Sequence, residues 1–430
     1  MSSSRRRALA RCAPSHPAPL ARTLRTRPLP ARRRAASPAV VHHRGARLGI
    51  PRPGETLKNH QRWFTAFVLL SNPPLRSLCP FVFRIRTPHP PCHNSHLAPD
   101  VFGGYTRSMK YIVTGGAGLI GSNIARQLNE SGETDLLIVD HLNGNPLKQR
   151  NLDSIQYAAY MERDAFRAAV HSGKIEPPKA FFHLGACSST TETNEAFLED
   201  NNTAYTREMC EWCLQNESRF VYASSAATYG DGAQGYSDDE AGIPSLQPLN
   251  LYGWSKQRFD LWLLKEKLSN RVAGLKYFNV FGPGEDHKGD MRSVVNKSYG
   301  IVRDKGRMTL FRSDRPDYAD GCQDRDFVYV KDAAAVTVWL GEHPEVNGIF
   351  NCGTGHARTW LDLANALFKA VGKEPVIDFI DMPEKLRGKY QYHTEAEMAK
   401  LYATGCPVQF RPLEDAVLDY VRTHLSRFAD

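Results

Sequence analysis

A glycine-rich stretch between an apolar run and a helical pattern constrains the fold of this chain more than any other feature. The apolar run covers residues 110–114, and Ile120, Ile124 and Leu128 recur at every fourth position around and after the glycines. This order predicts a strand, a tight turn and an amphipathic helix. Three glycines of the turn, Gly115, Gly118 and Gly121, follow a G-x-x-G-x-x-G spacing. Gly116 is a fourth glycine within it.

A turn of this kind can bind the pyrophosphate of a dinucleotide. Glycine lets the backbone turn tightly and approach a pyrophosphate, and the N-terminus of the following helix offers unpaired N–H groups at the positive end of its dipole. Asp140 lies 19 residues beyond Gly121, at the end of a second apolar run, where a carboxylate can accept hydrogen bonds from an adenosine ribose. We therefore predict a dinucleotide-binding unit here rather than a simple tight turn.

The charges near this unit leave the choice of dinucleotide open. A carboxylate such as Asp140 repels a ribose 2′-phosphate and so favours NAD, whereas three nearby cations could offset that repulsion and permit NADP. Taken singly, each cation is better interpreted as a solvated surface charge. They are Lys148, Arg150 and Arg163.

Later apolar runs continue the alternation of strands and helices. They cover residues 136–140, 180–184, 220–223 and 275–278. This alternation indicates a parallel sheet covered on both faces, so we predict a Rossmann-type doubly wound α/β fold over residues 109–280. Periodicity weakens beyond that point, which predicts a smaller, irregular substrate-binding lobe over residues 281–430, with some chain returning to the sheet.

Charge is divided unevenly along the chain. Residues 1–108 hold 19 of the 55 Lys and Arg, two of the 46 Asp and Glu, and 15 of the 27 prolines. The basic balance belongs to this extension, so it does not argue for nucleic-acid binding by the folded body. We expect a disordered segment. It could be an organelle transit peptide, a basic arm for nucleic acid or membrane, or an over-long gene model with translation starting at Met109, which we favour.

Membrane and metal sites are not expected from the sequence. No apolar run approaches the roughly 18 to 20 residues that span a bilayer. Nine scattered cysteines lack the framework of a secreted domain, which favours a cytoplasmic location, or an organelle if the extension is translated. Cys210 and Cys213 lie at helical spacing without a second pair, which predicts buried thiols and no metal.

A tyrosine and a lysine four residues apart predict the reacting groups. Tyr252 and Lys256 share one face of a helix. A phenol with a pKa of ~10 is a poor base, but an adjacent ammonium stabilises the phenolate, which can then take a proton from a substrate hydroxyl while hydride leaves for nicotinamide. Ser225, beyond the end of a predicted strand, is placed to orient the same hydroxyl. The alternative is a strand-end turn followed by an amphipathic helix.

Together these features resemble the extended short-chain dehydrogenase/reductases and, among them, the ADP-L-glycero-D-manno-heptose 6-epimerases of the NAD-dependent epimerase/dehydratase family. The resemblance spans residues 109–430, and its most specific motifs are Gly-Ala-Cys-Ser-Ser-Thr-Thr-Glu at 185–192 and Glu-Asp-His-Lys-Gly at 285–289. It implies an isomerase that epimerises C6 of the heptose in an ADP-sugar through a 6-keto intermediate. It also implies a homo-oligomer that uses NADP more usually than NAD.

Lys288 matches the second acid/base of that family. Epimerisation without net oxidation returns hydride to the opposite face of a carbonyl, so the turned intermediate presents its oxygen to a second proton donor. We predict that Tyr252 serves one epimer and Lys288 the other, without assigning which. Without the resemblance, an exposed loop lysine would be the better interpretation.

The resemblance also implies the binding residues. Cofactor contacts are implied at Gly115, Gly118, Leu119, Ile120, Gly121, Asp140, His141, Lys148, Arg163, Leu184, Gly185, Ala186, Cys187, Ser188, Asn201, Lys256 and Val280. Substrate contacts are implied at Asn279, Asp290, Lys297, Phe311, Arg312, Ser313, Asp314, Arg325 and Tyr390. Two of these depart from the family pattern, since serine or arginine is expected at Asp290 and histidine or glutamine at Lys297, which leaves the sugar less certain than the reaction. For Arg325, an ion pair with Asp326 is the alternative.

Other functions remain open at this point. Within the superfamily, the chain could be another NAD(P)-dependent nucleotide-sugar epimerase or a 4,6-dehydratase. A dehydratase needs an acidic pair just after the active-site serine, whereas Ser225 is followed by Ala226, Ala227 and Thr228. Beyond the superfamily, it could be a non-catalytic NAD(P) sensor, which the intact reacting groups argue against, or a nucleic-acid-binding protein that uses the basic extension.

Overall fold

The computed structural model describes residues 109–384 and 390–428. Its strands are β1 (Tyr111–Thr114), β2 (Leu136–Asp140), β3 (Ala159–Glu162), β4 (Ala180–His183), β5 (Arg219–Ser225), β6 (Ala273–Tyr277), β7 (Asn279–Phe281), β8 (Met308–Phe311), β9 (Asp324–Arg325), β10 (Phe327–Tyr329), β11 (Gly348–Cys352), β12 (Arg358–Thr359) and β13 (Ile377–Ile380). Its α-helices are α1 (Leu119–Glu130), α2 (Pro146–Leu152), α3 (Arg163–His171), α4 (Glu195–Leu198), α5 (Tyr205–Gln215), α6 (Leu251–Lys265), α7 (Val294–Lys305), α8 (Val330–Glu342), α9 (Trp360–Val371), α10 (Ala399–Ala403) and α11 (Leu413–Tyr420).

Seven strands form one parallel sheet in the order β11-β6-β5-β4-β1-β2-β3. Every residue of β1, β2 and β4 is buried, because helices cover the sheet and leave these strands no solvent-facing side. The order runs outward from β1 in both directions, which is the doubly wound arrangement. The predicted Rossmann-type fold is therefore confirmed, and two strands of the sheet, β3 and β11, lie outside the apolar runs of the sequence analysis.

The carboxyl ends of β1, β4 and β5 meet where the chain reverses its direction of travel across the sheet. Ligands of open α/β sheets bind at such a switch point. The helix that follows β4 is interrupted by one π-helical segment, Glu199–Ala204, between α4 and α5. Such segments are frequent at functional sites. The sheet therefore brings the glycine turn, the loop after β4 and Ser225 to one edge.

A second apolar cluster lies outside the sheet. Its buried side chains come mainly from α7, α9 and α11, together with β8 and β10. Three two-stranded ladders accompany it, namely β10-β7 and β13-β8, which are parallel, and β12-β9, which is antiparallel. α8 packs against α1, and β11 pairs with β6, so residues 330–352 belong to the sheet rather than to this second cluster.

Three sequence-based expectations concern regions apart from the site. The predicted disorder of residues 1–108 lies outside the described residues. Within the described ranges, no helix combines the length and apolar character that a bilayer crossing requires. Cys210 and Cys213 are buried on α5, and burial raises the pKa of both thiols, as expected of structural cysteines.

Candidate active site

The glycine turn between β1 and α1 is closely packed and leaves the helix N-terminus open. Gly115 has φ +66°, a left-handed conformation that glycine adopts without strain, and a Cβ on Gly121 would lie 2.2 Å from the Gly115 carbonyl oxygen. The residue that caps α1 is Gly118, which has no side chain to bond the first-turn N–H groups. The first turn also carries no acidic residue. This geometry fits a pyrophosphate at the positive end of α1.

A cavity of about 480 Å³ opens from this turn along the carboxyl edge of the sheet. It is lined by every residue at which the resemblance implies a cofactor contact. The four predicted catalytic residues line the same cavity and are Ser225, Tyr252, Lys256 and Lys288. The structure thus brings together, in one space, groups that lie far apart in the sequence.

Asp140 is held by the protein itself at the far end of the glycine turn. Its carboxylate accepts hydrogen bonds from the backbone N–H of Ala117 at 2.8 Å and of His141 at 2.6 Å. The Lys148 ammonium lies 2.6 Å from the same carboxylate and also donates to the His141 carbonyl at 2.9 Å. Asp140 therefore stabilises the turn and carries a paired charge, which weakens its repulsion of a phosphate.

Arg163, at the start of α3, provides a second cation near Asp140. Its guanidinium bonds to the carboxylate of Asp164, 2.7 Å from Nε, and to the side-chain oxygen of Asn201 at 2.5 Å. The Asp164 side chain is mostly exposed, so this ion pair is weak and can rearrange around a ligand. His141 is 3.3 Å from Glu162, which completes a surface where cations and carboxylates alternate.

The predicted catalytic helix is α6, and its N-terminus is well defined. Asn250 caps it by accepting a hydrogen bond from the N–H of Gly253 at 2.8 Å. A Cβ on Gly253 would lie 2.8 Å from the Ala227 carbonyl oxygen, so glycine permits the helix to approach the turn after β5. This approach places Tyr252 beside Ser225.

Burial and hydrogen bonding act oppositely on the reacting phenol. Burial raises the pKa of Tyr252, and its hydrogen bond with Ser225 lowers it. Burial lowers the pKa of Lys256 to about 8, and its ammonium donates to the Ala223 carbonyl at 2.8 Å. Burial therefore favours the uncharged form of both side chains, the phenol of Tyr252 and the amine of Lys256.

Lys288 reaches the cavity from a short 3₁₀ segment, Asp286–Met291, after β7. Its side chain is half-buried and forms no hydrogen bond or ion pair with another of the described residues. Burial lowers its pKa, whereas the nearby Glu285 carboxylate raises it. A lysine whose pKa is lowered can exchange its proton closer to neutral pH, as an acid/base requires.

Several elements anchor the loop that carries Lys288. Asn151 in α2 donates to the carbonyls of Ala117 and Gly284, each at 2.9 Å, and so joins this loop to the glycine turn. Asp286 accepts from Asn296 at 2.8 Å and lies 2.7 Å from His424 near the C-terminus. These anchors fix the position of Lys288 relative to the cofactor turn.

The nine predicted substrate residues form a different group, because none of them lines the cavity described above. Phe311, Arg312, Ser313 and Asp314 follow one another at the end of β8. Asn279 begins β7 and is exposed, and its side-chain oxygen lies 3.5 Å from the Thr394 hydroxyl.

Arg325 is the most buried of the predicted substrate residues, with 5% of its surface exposed. Its guanidinium lies over the ring of Tyr390, 5.0 Å from the centroid, and Tyr390 accepts a hydrogen bond from Trp360 at 2.7 Å. The alternative ion pair with Asp326 is not formed, because that carboxylate accepts instead from the N–H groups of Thr354 at 2.7 Å and of Gly355 at 3.0 Å and from Ala396.

The two residues that depart from the family pattern are close together but do not form an ion pair. The Lys297 ammonium lies 3.3 Å from the main-chain carbonyl of Asp290, and both side chains are exposed. The carboxylate of Asp290 therefore remains available to a ligand.

Sequence reasoning missed part of the cavity wall. Several of the residues that were missed lie at the carboxyl ends of strands, and this position could have identified them. His287 is next to the predicted Lys288 in the sequence, which is a second such signal. The additional residues are Thr114, Val139, Phe197, Tyr205, Ala223, Ser224, Tyr277, Phe278 and His287. Burial lowers the pKa of His287 to about 4, so its ring is neutral in this wall.

Comparison with known proteins agrees with this geometry. A family model described as the NAD dependent epimerase/dehydratase family matches residues 111–353. A relative from Nitratidesulfovibrio vulgaris (strain DP4), named ADP-L-glycero-D-manno-heptose-6-epimerase, is 54% identical over 74% of this chain and 98% of its own length. A relative of the same name from Alkalilimnicola ehrlichii is 43% identical over 72% of this chain and 96% of its own.

Solved structures share the fold. An ADP-L-glycero-D-manno-heptose-6-epimerase from Helicobacter pylori has a TM-score of 0.62 at 24% identity and covers 74% of this chain and 96% of that one. A UDP-glucose 4-epimerase from Thermus thermophilus, in complex with NAD, has a TM-score of 0.60 at 25% identity and covers 75% of this chain and all of that one. The predicted family and the need for a nicotinamide dinucleotide are confirmed. The chain therefore belongs to the NAD-dependent epimerase/dehydratase family, on the branch of the ADP-L-glycero-D-manno-heptose 6-epimerases.

Proposed function

We propose that this chain interconverts ADP-D-glycero-β-D-manno-heptose and ADP-L-glycero-β-D-manno-heptose by epimerisation at C6 through a 6-keto intermediate. One observation carries the proposal beyond family membership: Tyr252 and Lys288 line the same cavity, which begins at the open N-terminus of α1. Their pKa values are shifted in opposite directions, because burial raises that of a neutral acid and lowers that of a cationic one.

The reaction needs two groups that can exchange a proton. When bound, the nicotinamide dinucleotide supplies the hydride acceptor and donor at C6. One side chain must accept the proton of the C6 hydroxyl, and another must return a proton to the carbonyl oxygen after the intermediate has turned. Ser225 orients the hydroxyl and the Lys256 ammonium stabilises negative charge near the phenol. Tyr252 and Lys288 are the two proton-exchanging groups.

The residues after Ser225 favour epimerisation over dehydration. They form a short 3₁₀ helix, Ala226–Tyr229, which contains no carboxylate. A 4,6-dehydratase needs an acid at this position to expel water, so dehydration has no proton donor here. Other nucleotide-sugar epimerases remain the second candidate, because the exposed Asp290 carboxylate is an unusual group for the heptose site.

NMR of the purified protein with ADP-heptose tests the proposal. The spectrum at C6 is followed without added cofactor, since a dinucleotide that is recycled within each turnover should remain bound. We expect a mixture of both C6 epimers from either pure epimer. An unchanged C6 configuration in protein that contains bound nicotinamide would contradict the proposed reaction, and UDP-sugars incubated in parallel would reveal the second candidate.

We also propose NADP as the preferred dinucleotide. The support is electrostatic: Lys148 neutralises Asp140, and the ion pair of Arg163 is with Asp164, an exposed carboxylate that a phosphate can replace. We expect Arg163→Ala to weaken the binding of 2′-phosphorylated dinucleotide by about tenfold, the scale of one lost charge-assisted hydrogen bond, while binding of NAD changes little. Calorimetric titration of both dinucleotides measures this, and equal losses for the two would refute a 2′-phosphate site at Arg163.

Several further expectations stay predictions. We propose that residues 109–280 bind the dinucleotide and that residues 281–430 mainly bind the ADP-sugar, in accordance with the separate apolar cluster of α7, α9 and α11. The homo-oligomer and the cytoplasmic location stay predictions too, as do the absence of a nucleic-acid partner and the interpretation of residues 1–108.

A further inference from the structure

A buried ion pair lies directly behind the catalytic side chains. Asp260 is in α6, one helical turn beyond Lys256, and Lys276 is in the neighbouring β6. Oxygen Oδ2 of Asp260 lies 2.8 Å from Nζ of Lys276, and both side chains are 0% exposed. A buried pair of this kind is weak evidence for stability in itself, because the cost of removing two charges from water offsets their attraction. Its other contacts therefore indicate its role.

Asp260 binds the strand that ends at the active site. The hydroxyl of Ser224 donates to its Oδ2 at 2.7 Å, and the phenol of Tyr222 donates to its Oδ1 at 2.9 Å. Both donors belong to β5, whose last residue is Ser225. The carboxylate thus fixes α6, which carries Tyr252 and Lys256, to the strand that carries Ser225.

Lys276 holds the turn after that strand. Its ammonium donates to the Thr228 hydroxyl at 2.8 Å, and this hydroxyl donates in turn to the carbonyl of Ser225 at 2.8 Å. The same ammonium lies 5.3 Å from the ring centroid of Tyr229. Lys276 therefore reaches the Ser225 carbonyl through Thr228, and Asp260 binds Ser224, the residue that precedes Ser225.

Asp260 also affects the pKa of Lys256. Asp260 is four residues further along the same helix face, and its negative charge raises the pKa of Lys256 against the lowering caused by burial. Cys187, from the loop after β4, acts in the same direction as Asp260. The other titratable groups near Lys256 are neutral around pH 7, namely the phenol of Tyr252 and the buried ring of His183, whose pKa is lowered to about 3 by burial and by Lys256 itself.

We propose that the Asp260–Lys276 pair is a positioning element of the active site, which holds Ser225 in place and sets the electrostatic field at the Lys256 ammonium. Neither residue touches the cavity, so both act through other groups. The consequence for turnover rests on the proposed function, whereas the effect on Lys256 is measurable without substrate.

The test is a pH titration of the Lys256 ε-carbon by NMR, in protein labelled with ¹³C-lysine and assigned with Lys256→Arg. We expect a wild-type midpoint of about 8. Asp260→Asn removes the negative charge and should lower the midpoint by about one pH unit, whereas Lys276→Met leaves the carboxylate without its cation and should raise it by a similar amount. Shifts of opposite sign cannot arise from a general loosening of the fold.

A double variant and a surface control complete the design. Each single change leaves one buried charge unpaired and can impair folding, whereas the Asp260→Asn/Lys276→Met double variant removes both charges together. We expect it to fold, with a midpoint between those of the single variants and kcat at least tenfold below wild type. Lys265→Met/Glu266→Gln, which makes the same charge changes at exposed positions of the helix end, should leave both quantities unchanged.

The outcomes separate this inference from the proposed function. A double variant that folds with wild-type kcat would overturn the positioning role, and an Asp260→Asn variant that folds with an unshifted Lys256 midpoint would overturn the electrostatic role, even if the wild type epimerises ADP-heptose. Single variants that fold and shift the midpoint in the same direction would also overturn it. If the wild type does not act on ADP-heptose, the proposed function fails, while the midpoints still decide whether the pair controls Lys256.

Discussion

Replacement of Tyr252 by phenylalanine should lower the rate of epimerisation by at least about 10²-fold, the usual scale for the loss of a general acid or base. The phenol lines the cavity beside Ser225, and burial raises its pKa, so the wild-type group holds a proton that it can deliver and recover. Phenylalanine fills the same volume without an exchangeable proton. The rate is measured by NMR of the C6 signal from both epimers.

The matched control is Tyr402→Phe, which removes a hydroxyl from an exposed tyrosine and should leave the rate unchanged. Thermal unfolding of Tyr402→Phe should match that of the wild type, and Tyr252→Phe should show only the small loss expected from its missing hydrogen bond with Ser225. A Tyr252→Phe enzyme that is as active as the wild type would refute the assignment of this phenol as an acid/base.

Replacement of Lys288 by methionine should abolish net interconversion of the epimers while the bound dinucleotide and the fold are retained. Methionine has a similar length to the aliphatic stem of lysine and cannot exchange a proton. Because Tyr252 remains, one of the two epimers should still be oxidised in a single turnover, which is visible as reduced nicotinamide absorbance, whereas the other should not. This asymmetry is the expected signature of two proton-exchanging groups, one for each epimer.

A second substitution of Lys288 distinguishes the loss of proton exchange from the loss of positive charge. Lys288→Arg keeps the positive charge, but a guanidinium retains its proton at any accessible pH, so this variant should be as inactive as Lys288→Met. In the wild type, burial lowers the pKa of Lys288, so the proton is lost at a lower pH than from a free lysine. Lys305→Met changes an exposed lysine on α7 and serves as the control. Wild-type turnover in Lys288→Met would defeat the scheme.

The most local parts of the site could be predicted from the sequence. A strand, a glycine turn and a helix are adjacent along the chain, and Tyr252 and Lys256 are one helical turn apart, so short-range geometry already determines their relation. The resemblance then implied a set of cofactor residues that all line one cavity. The predicted substrate residues are spread over β7, β8, β9, α7 and the stretches between these elements, so their relative positions depend on tertiary packing.

The hydrogen-bond partners of Asp140 and Asp260 could not be predicted from the sequence. Asp140 follows a buried strand at the spacing of a ribose-binding carboxylate, yet its oxygens already accept from Ala117, His141 and Lys148. Asp260 had no motif of its own, yet it joins the helix of Tyr252 to the strand of Ser225. Which partner a carboxylate takes depends on every donor within about 3 Å, and that set is not encoded in the spacing along the chain.

The sequence by itself determined the nicotinamide-binding sheet, the turn that receives the pyrophosphate and the helix face that presents a phenol and an ammonium, because periodicity and turn chemistry act over a few residues. Only the tertiary structure decided that Lys288 shares a cavity with Tyr252 and that a wholly buried Asp260–Lys276 pair supports both Ser225 and Lys256. The physical reason is that burial, and the competition among donors for each charge, arise from contacts between elements that are distant in the chain.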